Sequence, residues 1–146
     1  MHLKLAQLAA HLQRPLAPVY VLHGDEPLLQ IEAARAIRDA AAKAGYAERE
    51  MLVAESGFNW QSLAGANQSM SLFGSRRILD LRIPTGKPGV EGARVLEAVG
   101  SSPSPDNVLL VSCPKLDKGG TSSNWFAALE GAGVAIAIPP LERDDL

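Results

Sequence analysis

The sequence contains very little cysteine and histidine and almost no net charge. Its one cysteine, Cys113, excludes an internal disulfide framework and is typical of a protein of the reducing cytoplasm. A formal net charge of −2 excludes a basic footprint for nucleic acid over the whole surface. No apolar run approaches the roughly 20 residues that cross a bilayer, so we expect no membrane segment. These absences indicate a cytoplasmic globular protein of ordinary composition.

The two ends of the chain carry different patterns. No basic segment followed by an uninterrupted apolar one begins the chain, so we expect no secretory signal. The first apolar residues predict an amphipathic helix packed on the domain: Leu3, Leu5, Leu8, Ala9 and Leu12. Pro139 and Pro140 precede an acidic tail without a further core element, which is typical of a domain boundary. We therefore expect residues 1–146 to form one domain of a longer protein.

Short apolar runs alternate with helical patterns along the chain. The runs predict five strands, at residues 19–23, 50–54, 77–83, 108–111 and 134–138. The helical patterns predict four further helices, at residues 28–44, 60–69, 91–99 and 123–130. Asp25 and Asn59 are the expected N-caps of the first two of these four, and Gly45 is the expected end of the first. The alternation predicts an α/β domain with a parallel five-stranded sheet, and the continuous apolar runs predict helices on both faces.

The first of these strands is followed by glycine and a helix, which is where nucleotide-binding folds place a phosphate loop. A phosphate loop starting at Gly24 requires glycine, lysine and a hydroxyl residue at positions 29–31. The chain has three other residues there: Leu29, Gln30 and Ile31. The dinucleotide pattern GxGxxG is also absent, and Asp80 stands alone inside a strand instead of in a magnesium-holding Asp-Glu pair. We therefore expect no nucleotide and no other cofactor.

Other catalytic or metal-binding patterns are weak. His11 closes the first helix and is expected to be a solvated surface residue. His23 ends a strand at the sheet edge where active sites are common, but no serine or cysteine motif accompanies it. Cys113 is expected to be a small buried apolar side chain instead of a nucleophile. No Cys/His spacing fits zinc, so we expect no metal site.

The segment before the third strand carries a short pattern of its own. Residues 68–73 have the sequence QSMSLF, in which a glutamine and a spacer precede a Leu-Phe pair. Three of these side chains also suit a core position at a helix–strand corner, and the pattern alone favours that interpretation: Met70, Leu72 and Phe73. Arg76 and Arg77 follow, and we expect both to be solvated where the strand begins; a contact with a protein partner or with DNA is the alternative. We expect other scattered basic residues to be solvated as well: Lys87, Arg94, Lys115 and Lys118.

Four short motifs occur in an order that resembles a known family. They are VLHGDEPLL at residues 21–29, SLFGSRR at 71–77, PKLD at 114–117 and WFAAL at 125–129. Together they resemble the N-terminal domain of the delta subunit of bacterial DNA polymerase III, which is a clamp-loader subunit, over nearly the whole chain. The QSMSLF segment is also similar to the clamp-binding motif of bacterial replication proteins, with a spacer one residue longer than in the common pentapeptide form.

The resemblance implies a subunit of a DNA polymerase complex without a catalytic site of its own. The implied fold is an AAA+-like domain, related to P-loop NTPases, that lacks a working phosphate loop. The implied contact with the beta sliding clamp carries over to four residues: Gln68, Met70, Leu72 and Phe73. The other implied partners are the gamma/tau and delta-prime subunits and, within the assembled complex, DNA. The family's full-length chain adds two helical domains that serve assembly.

Two alternatives remain at this point. One is a different inactive AAA+ clamp-loader relative, delta-prime, although the absence of zinc-site cysteines and the presence of residues 68–73 argue against it. The other is a small α/β enzyme whose pocket lies near His23, Gly24 and Asp25. A ligand that binds there and is lost on His23→Ala would favour the enzyme.

Overall fold

The computed structural model describes residues 1–68 and 75–140, which form one sheet with helices on both faces. The strands are β1 His2–Lys4, β2 Val19–His23, β3 Glu48–Val53, β4 Arg77–Arg82, β5 Asn107–Cys113 and β6 Val134–Ala137. They pair in parallel throughout, in the order β1-β6-β2-β5-β4-β3. The amino ends of all the strands therefore lie along one side of the sheet and the carboxyl ends along the opposite side. We call these two sides the amino edge and the carboxyl edge.

The helices connect these strands over the two faces. They are α1 Leu8–His11, α2 Pro27–Lys43, α3 Trp60–Gln68, α4 Gly89–Ser101, α5 Lys118–Thr121 and α6 Asn124–Ala132. Helices α1 and α2 cover one face, and α3, α4 and α6 cover the other. The prediction of helices on both faces of a parallel sheet is confirmed.

Each face has its own apolar core, and β2 shows why. Val19 and Val21 contribute to the core under α3, α4 and α6, whereas Tyr20 and Leu22 contribute to the core under α2. All four side chains are at most 1% exposed. Since successive side chains of a strand point to opposite faces, a central strand with both faces covered must be apolar at every position. Each such side chain contributes about 1.5–3 kcal/mol on burial.

The sheet has six strands among the described residues, so the prediction of five was wrong. The additional strand is β1, which lies where an amphipathic helix beginning at Leu3 was predicted. Leu3 pairs with Ile136 on β6 instead, and a 3₁₀ turn and the single turn of α1 follow. Three residues cannot specify a strand by themselves; their pairing partner lies more than 130 residues away in the sequence.

The first cap was assigned one residue too early. Glu26 is the N-cap of α2, and its Oε1 accepts a hydrogen bond from the Leu28 amide at 2.9 Å. Asp25 turns the other way, and its Oδ1 accepts from the Lys115 amide at 2.8 Å. Asp25 therefore ties the loop after β2 to the loop after β5. The predicted cap at Asn59 is confirmed, because its side chain accepts from the Gln61 amide at 3.1 Å.

Gly24 is required where β2 leaves the sheet. Its φ is +156°, and a Cβ there would lie 2.6 Å from both the side chain and the carbonyl oxygen of Ile138. A larger residue would push β6 away from β2. The chain can therefore turn sharply at the carboxyl edge of the sheet and enter α2 directly.

Candidate functional site

Helix α3 leads into the predicted site and ends at Gln68, whose side chain is exposed. The other three predicted site residues, Met70, Leu72 and Phe73, lie outside the described residues. The helix is fixed along its length, because Trp60 and Leu63 are buried in the core. Gln68 therefore marks a surface position at the end of a packed helix, at the edge where the strands begin.

The C-terminal end of α3 is bonded to two neighbouring strands. The Ala66 carbonyl accepts from Arg77 Nη2 at 3.0 Å and from Asn107 Nδ2 at 2.9 Å. Asn107 Nδ2 also lies 3.4 Å from the Asn67 carbonyl. Asn107 is 3% exposed and Asn67 is 8% exposed. Sequence reasoning missed this arrangement, although a polar Asn107 ahead of an apolar strand was an available indication.

Arg76 and Arg77 behave differently, so the expectation that both are solvated was only half right. Arg76 is exposed, but its guanidinium lies 4.3 Å above the Tyr46 ring and donates to the Tyr46 hydroxyl at 2.7 Å. The Arg77 side chain is only 13% exposed and pairs with Glu50 at 3.0 Å. Its long apolar stem can be buried while its donors reach polar partners at the α3 end.

A shallow groove of about 290 Å³ lies beside Gln68. Its walls are the C-terminal ends of α3 and α4 and the loop at residues 102–106. Small side chains such as Ala64, exposed Ala98 and Pro105 line it. Polar residues such as Asn67, Ser104 and Asp106 line it as well, so the groove extends the surface next to Gln68 with mixed apolar and polar contacts.

At the opposite edge, a depression of about 370 Å³ lies beside Gly24, where a nucleotide-binding fold would place its phosphate loop. Gln30, which stands at the position of a phosphate-loop lysine, donates from Nε2 to the Cys113 carbonyl at 2.8 Å. Leu29 packs against the core beneath α2, whereas Ile31 is 55% exposed. The three side chains at positions 29–31 offer a phosphate no cationic group; the arginines that line the depression are Arg38 and Arg82, which come from α2 and β4.

Asp80 is the buried charge beside this depression. It is 1% exposed, and its Oδ2 accepts from Arg49 Nη2 at 2.8 Å and Nε at 3.2 Å. Arg38 Nη1, from α2, lies 3.7 Å from the same oxygen. The carboxylate therefore joins the edge strand β3 to α2. Two guanidinium groups around one carboxylate form an ion-pair cluster, which is unlike a magnesium ligand set.

His23 and Cys113 are neighbours in the sheet, at the carboxyl ends of β2 and β5. Burial raises the pKa of the Cys113 thiol to about 12, and its Sγ lies 3.6 Å from the Leu22 carbonyl. Burial also lowers the pKa of His23, whose ring packs edge-on against Phe126 at 5.3 Å. A buried thiol with a raised pKa is a poor nucleophile, so the prediction of Cys113 as a small buried side chain is confirmed.

His11 is not a fully solvated residue, contrary to expectation. Its Nε2 lies 2.9 Å from the hydroxyl of Tyr20, which also accepts from the Ala17 amide at 3.0 Å. Tyr20 is fully buried and needs partners for its hydroxyl, so it holds His11 against the sheet. Partial burial lowers the pKa of His11, with Arg14 adding to the effect.

Within residues 1–68 and 75–140, no three His, Cys, Asp or Glu side chains come together as metal ligands. No helix in these ranges has the length and apolar character needed to span a membrane. The scattered basic residues are exposed, as expected: Lys87, Arg94, Lys115 and Lys118.

Comparison with known proteins places this fold and sequence among replication proteins. The family model for the DNA polymerase III delta subunit matches residues 20–138. The delta subunit of Escherichia coli K12 is 31% identical over 140 residues, which cover 96% of this chain and 41% of that protein. The delta subunit of Haemophilus influenzae is 33% identical over 123 residues, which cover 84% of this chain and 36% of that protein. The chain thus spans about two fifths of the length of these curated relatives.

Two solved structures share the fold. The Bacillus subtilis DNA clamp loader delta protein matches with a TM-score of 0.73 at 21% identity, over 97% of this chain and 44% of that one. A DNA polymerase III gamma subunit-related protein of Thermotoga maritima matches with a TM-score of 0.56 at 7% identity, over 96% and 47% respectively. The family model and the curated relatives agree with the motif order along the chain, and the chain belongs to the DNA polymerase III delta subunit family.

Proposed function

We propose that this chain is a clamp-loader component that binds the beta sliding clamp through Gln68, Met70, Leu72 and Phe73. The observation that carries the proposal is that Gln68, the first residue of the QSMSLF segment, is the exposed last residue of a packed helix in a delta-family domain. The fold match to a protein known as a DNA clamp loader delta protein supports the same role.

The energetics favour a segment mounted on a folded domain. Full burial of Leu72 and Phe73 in a clamp pocket would contribute about 3–6 kcal/mol together. Association costs about 4 kcal/mol or more in lost translational and rotational freedom. The pair alone would therefore bind weakly, and polar contacts of Gln68 and added area from Met70 are needed. Holding the segment at a fixed helix end reduces the ordering cost.

In the proposed role, clamp opening requires no catalytic reaction by this chain. A subunit that binds the open clamp more tightly than the closed clamp shifts the population towards the open form by its differential affinity. The gamma/tau and delta-prime subunits and DNA are the proposed further partners in the assembled loader. The proposed role is therefore mechanical and leaves catalysis to other subunits.

We propose that the depression near Gly24 is an AAA+-like site without a functional phosphate loop. Gln30 is bonded to Cys113, and Asp25 is bonded to Lys115, so both side chains serve the fold. Asp25 also adds negative charge where phosphates would lie. Titration calorimetry with ATP and magnesium should give no binding heat; a micromolar, magnesium-dependent isotherm would contradict this part of the proposal.

The clamp proposal is tested with purified sliding clamp by surface plasmon resonance. Leu72→Ala/Phe73→Ala should abolish binding while the far-UV circular dichroism and Tm stay at wild-type values. The matched control is Leu28→Ala/Ile31→Ala, which removes two side chains that are 57% and 55% exposed near the opposite edge of the sheet. This control should bind normally.

Two results would reject the clamp proposal. One is wild-type affinity in the Leu72→Ala/Phe73→Ala variant. The other is unfolding of that variant, since it would indicate that the pair belongs to the core.

A further inference from the structure

The carbonyl groups at the C-terminal end of α3 need hydrogen-bond donors, and two side chains provide them. The last four carbonyls of a helix have no partner within the helix. At this end, the Ala66 carbonyl receives Arg77 Nη2 at 3.0 Å and Asn107 Nδ2 at 2.9 Å. Asn107 Nδ2 also approaches the Asn67 carbonyl at 3.4 Å. The helix end is therefore held by donors from outside the helix.

The two donors come from a rigid part of the sheet. Arg77 is the first residue of β4, Asn107 is the first residue of β5, and the two are partners in the strand register. The residues that follow them, Ile78 and Val108, are 3% and 0% exposed. Arg77 and Asn107 thus fix α3 to two adjacent buried strands; we call this pair the bracket.

A second polar contact supports the same helix end. Asn67, which is 8% exposed, donates from Nδ2 to the Ser102 carbonyl just after α4 at 3.4 Å. The last turn of α3 is therefore joined to β4, to β5 and to the end of α4. Gln68 is the last residue of this turn, so its position depends on these bonds.

We propose that Arg77 and Asn107 are positioning residues that hold the end of α3 in the orientation from which the segment after Gln68 meets its protein partner. This inference rests on the proposed clamp-binding function. In this role, Arg77 and Asn107 do not need to contact the clamp. The bracket acts by reducing the conformations that binding would otherwise have to order.

The test is clamp affinity, measured well below the Tm of each variant. Asn107→Asp keeps the shape of the side chain but replaces the amide donor with a carboxylate that faces two carbonyl oxygens. With the helix end released, several side chains must be ordered on binding, and we expect about a tenfold or greater loss of affinity. A synthetic peptide of residues 66–75 gives the clamp affinity of the segment without the domain. The clamp affinity of Asn107→Asp should fall towards that of the peptide.

A purely structural role would give a different result. It would lower the Tm but leave affinity unchanged, because nearly all molecules remain folded at the temperature of measurement. Ile136→Val on β6 is the control for lost stability, since Ile136 is fully buried and lies in the core of the other face. This control should retain wild-type clamp affinity.

A second pair of variants tests the proposal even if Asn107→Asp fails to fold. Arg77→Met keeps an apolar stem and removes the guanidinium donors, and it should weaken clamp binding. Glu50→Gln breaks only the ion pair that Arg77 makes at 3.0 Å and should leave affinity unchanged.

The outcomes separate the two proposals. Wild-type protein that fails to bind the clamp rejects the proposed function, and the bracket inference falls with it. Wild-type binding combined with full affinity in folded Asn107→Asp, or in folded Arg77→Met, rejects the bracket alone. Equal losses in Asn107→Asp and Ile136→Val also reject it, because they would reflect general loss of stability.

Discussion

Removal of the Asp80 carboxylate should destabilise the domain by about 2–3 kcal/mol. Asp80 is 1% exposed and accepts two hydrogen bonds from Arg49, at 2.8 and 3.2 Å. A hydrogen bond to a charged group contributes about 1.5–3 kcal/mol, and breaking a fully buried pair costs about 3–5 kcal/mol. Arg49 is 40% exposed and Arg38 is 20% exposed, so water can recover part of the loss after Asp80→Ala. The expected value therefore lies below the fully buried limit.

The assay is urea unfolding followed by circular dichroism, with the midpoint and the m-value fitted separately. Asp80→Asn removes the charge and keeps the volume, which isolates the ionic part of the loss. Arg82→Ala is the matched control, because Arg82 lies two residues further along β4, has an exposed side chain and is not bonded to Asp80 in the described ion pairs.

A clear result would refute this reasoning. If Asp80→Ala changes the free energy of unfolding by less than about 0.5 kcal/mol, the range of ordinary surface substitutions, the ion-pair cluster does not join β3 to α2 in solution. A changed m-value would instead indicate that the variant alters the compactness of the folded or unfolded state.

Three further predictions concern other buried positions. Cys113 should react with a thiol reagent only after denaturation, because it is 2% exposed and its pKa is raised to about 12; rapid labelling of folded protein would contradict this. His23 has a pKa lowered below its ordinary 6.5 by burial, so the unfolded state takes up its proton first, and stability should fall as the pH drops below about 6.5; His23→Gln should reduce that dependence in thermal scans, and the remainder should come from His11, whose pKa is also lowered. Gly92→Ala should destabilise by about 1–3 kcal/mol, since its Cβ would lie 2.6 Å from the Trp60 ring, and a wild-type Tm would contradict it.

The sequence predicted the central strands well and the outermost strand β1 poorly. The predicted bounds of β2 match the structure, because an apolar run that ends in glycine is set by local chemistry. The predicted α2 differs from the structure by one residue at each end, and the predicted start of α3 matches the structure. Strand β1 was mistaken for helix because it contains a single leucine, Leu3, which fits the helical spacing of the leucines that follow; only the pairing of Leu3 with Ile136 decides.

The candidate site was predictable only in part. The helix that carries Gln68 follows from the helical pattern, and the family resemblance singles out the segment that begins at Gln68. The bracket and the Asp80 cluster could not be predicted, because they depend on distances between residues far apart in sequence. Arg77 and Asn107, for example, are 30 positions apart yet become partners in register once β4 and β5 pair.

The two edges of the sheet use their polar groups in different ways. At the carboxyl edge, Gln30 and Asp25 are bonded within the fold, and Asp80 is bonded to two arginines. Polar groups already committed in this way have less capacity to recognise a ligand, since each bond must be broken before a new one forms. At the opposite edge, Asn107 and Arg77 also bond internally, but their bonds hold the end of a helix that leads into an exposed position. On the proposed function, a delta-family domain built in this way would do without the chemistry of a nucleotide site and would still offer a fixed helix end from which a short segment binds the clamp.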